Sequence, residues 1–149
     1  MTRLLLPLLL FLAAETAALA CSCIMPPADP AQRRAHVREA ARGALALVEV
    51  ELLVPYDRRR GRGERLRVRR TLAGRAPAAF EVERNHVPSS ASCDVEFQRG
   101  GRTLVLLYAP RARGRAAMPR YRVSASCTGL MLADPAFRTL LVAEIRSRR

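Results

Sequence analysis

Four cysteines set the tightest limit on what this chain can fold into: Cys21 and Cys23, one residue apart, and Cys93 and Cys127, far downstream. The close pair stands directly after an export signal. Arg3 gives a positive start, Leu4 to Ala14 form an apolar run of 11 residues, and Ala18-Leu19-Ala20 supplies the small-x-small pattern after which signal peptidase cuts. Cleavage after Ala20 makes Cys21 the new N-terminus, with a free α-amine on a residue that a disulfide can also lock. Residues 1–20 are therefore expected as a signal peptide and residues 21–149 as a single domain, secreted or periplasmic and monomeric. The apolar run is shorter than the roughly 20 residues of a membrane span, no later segment comes near that length, and arginine interrupts every apolar stretch after residue 54, so no transmembrane span is expected.

An even number of cysteines in an exported chain reads as two disulfides. A Cys21–Cys23 bridge is poor, because residues two apart on an extended chain sit near the upper limit of about 6.8 Å between α-carbons. Each is expected instead to reach one of Cys93 and Cys127, with the choice open. Closing loops of that length is worth roughly 4–5 kcal/mol each as an upper figure. The rival is a zinc site of all four cysteines. The oxidising compartment and the lack of a second C-x-C or C-x-x-C pair argue against it, so no intrinsic metal and no cofactor is expected.

All 26 basic residues are arginine, and the net charge is +13. A GC-rich genome explains arginine and alanine together; attraction to an anionic partner is the functional alternative. The arginines cluster at Arg58-Arg59-Arg60, at Arg111, Arg113 and Arg115, and at Arg146 to Arg149, positions that read as loops and a terminus.

Asp29-Pro30 is a helix-start signal, and a short helix Pro30 to Ala41 should stop at Gly43. Ala44 to Val54, rich in Leu and Val and ending at Pro55, reads as a long buried strand. Leu66, Val68 and Leu72 are expected on one side of a second strand, alternating with Arg65, Arg67 and Arg69. Phe80 and Val82 mark a third strand, Thr103 to Tyr108 a fourth, and Tyr121 to Ala125 a fifth. After Asp134-Pro135, Phe137, Leu140, Leu141 and Ile145 fall on one face of a helix. The expected fold is mainly β: a five-stranded closed barrel like the oligonucleotide/oligosaccharide-binding (OB) fold, with two flanking helices and disulfide staples.

The chain resembles the N-terminal, netrin-like domain of the tissue inhibitors of metalloproteinases (TIMPs). The matching residues are Cys21-Ser22-Cys23, Thr71-Leu72-Ala73-Gly74, Pro88-Ser89-Ser90-Ala91-Ser92-Cys93, Gly100-Gly101, Leu106-Leu107-Tyr108-Ala109 and Cys127, across about residues 21 to 128. The resemblance implies disulfides Cys21–Cys93 and Cys23–Cys127, and a zinc metalloendopeptidase as partner. The α-amine and carbonyl oxygen of Cys21 would chelate the protease zinc. Ser22 would enter the adjoining substrate pocket, Cys23, Ile24 and Met25 would extend the wedge, and Ala91, Ser92, Cys93 and Asp94 would lie against it. The chain departs from the family in lacking its third disulfide and its cysteine-rich C-terminal domain, and in carrying Asp94 where glycine usually follows the cysteine.

Catalysis is not expected. His36 and His86 are the only histidines, Ser89, Ser90 and Ser92 form no nucleophile elbow, and there is no phosphate-binding glycine loop. Two other readings compete. A lipoprotein also places cysteine first after cleavage, but lipidation consumes the Cys21 thiol and acylates its amine, leaving one downstream cysteine unpartnered. A basic OB-type module, periplasmic or at the surface and without a protease target, would bind polyanions. Single-strand binding by such folds uses aromatic platforms. Only six aromatics remain after cleavage, and Phe80, Tyr108 and Phe137 read as core, so no specific nucleic acid is expected.

Overall fold

The computed structural model describes residues 27–57, 59–60, 62–84, 93–111, 118–124 and 126–148. Helix α1 spans Pro30–Ala41. The Asp29 carboxylate accepts the Gln32 N–H at 2.7 Å, and Pro30 fills a first-turn position where a missing N–H costs nothing. Gly43, at φ +69°, turns the chain into β1 (Ala44–Val54). Strands β2 (Arg65–Gly74), β3 (Ala79–Val82), β4 (Arg102–Tyr108) and β5 (Arg120–Val123) follow. Two helices close the chain, α2 (Ser126–Ala133) and α3 (Pro135–Ser147), the latter capped by Asp134.

The strands form a closed barrel in the order β1-β2-β3-β5-β4, with β4 returning to pair with β1. Every pairing is antiparallel except β3 with β5. Closure leaves each strand a neighbour on both sides, which removes the exposed edges that invite association.

Two apolar clusters explain why β1 reads as a continuous apolar run. Ala46, Val48 and Val50 point into the barrel with Leu66, Phe80, Val82, Val105 and Leu107. Leu47 and Leu106 point outward, beneath a layer made by Val37, Ala41, Phe137, Leu141 and Ile145 of the helices. A strand buried on both faces cannot show the polar alternation of a half-exposed one.

Polar groups fix the helical layer on the barrel. The Tyr108 hydroxyl donates to the Ala40 carbonyl at 2.9 Å, and Arg148 donates to the carbonyls of Ala41 at 2.9 Å and Arg38 at 3.3 Å. These supply partners to the carbonyls that the last turn of α1 leaves open.

Four expectations need correction. Among the described residues three helices flank the barrel, not two: α2 lacks the Asp-Pro start of the others, and it is held by Leu132, fully buried against the helical layer. Leu72 does not share a side with Leu66 and Val68. The β1–β2 register slips between Leu47 and Val48, which face Ala73 and Thr71, so Leu72 packs outside the barrel while Leu66 and Val68 face inward. In α3 the buried face is Phe137, Leu141 and Ile145, while Leu140 remains 37 % exposed. The fifth strand ends at Val123, and Ser124 turns inward, its Oγ accepting the Leu106 N–H at 3.1 Å.

Candidate functional site

Of the residues singled out from sequence, Cys21, Ser22, Cys23, Ile24, Met25, Ala91 and Ser92 lie outside the described residues, as do His86, Ser89 and Ser90. Cys93, Asp94 and Cys127 lie within them. Neither Cys93 nor Cys127 is a free thiol.

Cys93 adopts φ +55°, the one positive φ outside glycine among the described residues. A left-handed conformation at a side-chain-bearing residue costs on the order of 1–3 kcal/mol and persists only where the surroundings impose it. Those surroundings begin at Asp94, whose Oδ1 receives Nη1 of Arg84 at 2.8 Å. Nη2 of the same guanidinium donates to the Val95 carbonyl at 2.8 Å, and Val95 itself is buried with the barrel interior.

Arg84 is held in turn from the other side. Its Nε donates to Glu64 Oε2 at 3.1 Å and its Nη2 to Glu64 Oε1 at 2.9 Å, a forked pairing that fixes the guanidinium plane. The side chains of Arg84, Glu64 and Asp94 are only 5 %, 7 % and 17 % exposed. The Phe97 ring lies 6.0 Å from the guanidinium carbon and adds an aromatic face. The backbone beneath Glu64 is tight: the Val82 N–H donates to the Glu64 carbonyl at 2.8 Å. A Cβ on neighbouring Gly63 would stand 1.8 Å from the Val82 oxygen, so only glycine permits this approach. The barrel wall, Arg84 and the Asp94–Val95 backbone thus form one rigid connection behind Cys93.

Cys127 is anchored by different means. It sits in the first turn of α2, half-buried, and that helix is fixed to the barrel by Leu132.

The arginine clusters are only partly described. Arg59 and Arg60 are exposed in a turn whose N–H groups Asp57 caps at 3.0 and 3.2 Å, while Arg58 and residues 112–117 lie outside the described residues. Arginines also line the outer face of β2, as the alternation of Arg65, Arg67 and Arg69 with apolar residues predicts. Arg67 and Arg69 both pair with Glu51, and the hydrogen bond from Arg67 holds the Glu51 carboxyl below its usual range despite some desolvation. His36 is exposed on α1.

Sequence reasoning also missed Arg84 and Glu64. Neither stands in a motif, and the signal available was weak: a glycine–acid pair at the mouth of β2 and a charged residue just beyond a buried strand. No family model, no curated protein and no solved structure matches this chain.

Proposed function

We propose that this protein is an exported inhibitor of a zinc metalloendopeptidase, acting through the N-terminus created at Cys21. Backbone nitrogen and oxygen of one residue form a five-membered chelate ring, and a catalytic zinc keeps one position open for water or substrate. An α-amine, with a pKa of about 7.7–8, reaches its neutral, ligating form far more readily than a lysine. Occupying the open position displaces the water that would attack the peptide bond. Ser22 follows into the adjoining pocket, with Cys23, Ile24 and Met25 beyond it and Ala91 to Asp94 alongside.

The observation that carries this reading is the anchorage of the two downstream cysteines. Cys93 and Cys127 are not free thiols, and pairing them with Cys21 and Cys23 respectively accounts for all four cysteines. Arg84 clamps the residues after Cys93 to the barrel, and α2 carries Cys127. A terminus stapled to two fixed points loses little freedom on binding, which lowers the ordering cost of the complex.

The test is one added residue. Native protein should inhibit a zinc endopeptidase, and a single alanine placed ahead of Cys21 should abolish inhibition. The extension turns the amine into an amide, a poor ligand, and fills the space the zinc would take. Unfolding stability should change by less than about 1 kcal/mol, as for a surface change. Equal inhibition by the extended protein would overturn the chelating terminus.

A further inference from the structure

Between the segment at Val95 and Glu96, strand β4 and helix α2 lies a cleft of about 490 Å³. Small-molecule sites span about 300–1,000 Å³ and combine an apolar lining with a few polar groups. The floor here is apolar: Val95 keeps a little surface, and Leu104 is partly buried against the core cluster that contains the fully buried Leu132. Leu130 on the wall is 54 % exposed, the most exposed of the large apolar side chains among the described residues.

Gly129 is the informative residue. It sits inside α2, where glycine costs about 1 kcal/mol relative to alanine. Packing does not demand it, because a Cβ there meets nothing within 4 Å. Backbone geometry does not demand it either, since its φ is not positive. Its effect is to keep the cleft wall open.

Charge at the rim runs against the rest of the molecule. In a chain of net charge +13, this cleft presents Glu49 and Glu96 against Arg102. Glu49 leans on Arg70 at 3.7 Å. Arg102 and Glu96 form no ion pair among the described residues, and Arg102 acts on Glu51 only at longer range. One free guanidinium and one free carboxylate flank an apolar floor.

We infer that this cleft binds a short peptide with charged ends and an aliphatic side chain. The side chain lies on Val95, Leu104 and Leu130, the carboxylate is taken by Arg102, and the ammonium by Glu96. Arginine suits the first role because its fork matches a carboxylate in two parallel hydrogen bonds. The inference is independent of the zinc-chelating terminus.

The probe is Leu-Leu with both ends free, titrated into the exported protein and followed by backbone amide chemical shifts. Saturable binding is expected, with the largest shifts at Glu96, Arg102, Thr103, Gly129 and Leu130. Gly129→Leu fills the cleft with a better helix former, so it should weaken binding at least about tenfold while the thermal midpoint holds or rises. Arg102→Gln should weaken Leu-Leu by roughly tenfold, the scale of one charge-assisted contact, and leave C-terminally amidated Leu-Leu unaffected. No shifts at millimolar Leu-Leu would overturn the inference. So would binding that Gly129→Leu leaves intact, and so would a lowered midpoint in that variant, because Gly129 would then be there for packing.

Discussion

Arg84 differs from most of the other arginines in being almost wholly withdrawn from solvent, between two carboxylates that are themselves mostly buried. Desolvating three charges is unfavourable by itself, and the arrangement holds only because each charge meets its opposite at hydrogen-bond distance. Arg84→Met should therefore lower unfolding stability by about 3–5 kcal/mol, since it strands Glu64 and Asp94 without a counterion. Adding Glu64→Gln and Asp94→Asn to that variant should recover most of the loss, because the penalty lies in the uncompensated charges. Urea unfolding measures both, and a loss under about 1 kcal/mol for Arg84→Met would put this network among ordinary surface pairs. The Glu51 pairs between β1 and β2 make the contrast. The Arg67 hydrogen bond depresses the Glu51 carboxyl, so what they contribute is present at neutral pH and lost as pH falls through that lowered value. At this scale the sequence hid the distinction: Arg84 looks like any other of the 26 arginines until the fold withdraws it from water.

Among the elements, α1 and α3 were legible because each begins with Asp-Pro, a side-chain cap joined to a residue that needs no N–H donor. Strand β1 was legible from its unbroken Leu and Val run. Helix α2 was not. Its glycine and β-branched threonine are poor helix formers, and its stability comes from burying Leu132, a tertiary contact with no local signature. The slip at Leu72 was hidden for the same reason, since a bulge is a property of two strands together. How firmly α1 sits on the barrel depends on Tyr108, whose hydroxyl donates to Ala40 and whose ionisation burial pushes upward. A raised phenol pKa contributes stability that is fully present below about pH 10 and lost as pH rises through the folded value. Tyr108→Phe should remove about 0.5–1.5 kcal/mol at neutral pH, the worth of one such hydrogen bond. It should also flatten the loss of stability above about pH 10, seen by thermal unfolding across pH. An unchanged alkaline profile would assign that loss to other groups.

For the molecule as a whole, the expected closed barrel of five strands is what the chain forms, because alternating and doubly buried strands of this number leave few other ways to cover their apolar faces. Of the proposed site, the four cysteines stand out in the sequence by their spacing, with Cys21 and Cys23 outside the described residues, while the supports behind Cys93 and Cys127 do not. The buried Glu64–Arg84–Asp94 connection and the α2 platform arise only when residues distant in sequence pack together. No helix among the described residues is long and apolar enough to cross a membrane. The central proposal is that the protein is exported and then begins at Cys21 with a free α-amine, held by two long disulfides. A non-reducing peptide map of the exported protein tests it most directly. The account predicts an unmodified amine on Cys21, a peptide joining Cys21 to Cys93, and another joining Cys23 to Cys127. A peptide joining Cys21 to Cys127, a lipid on Cys21, or a first residue other than Cys21 would contradict it.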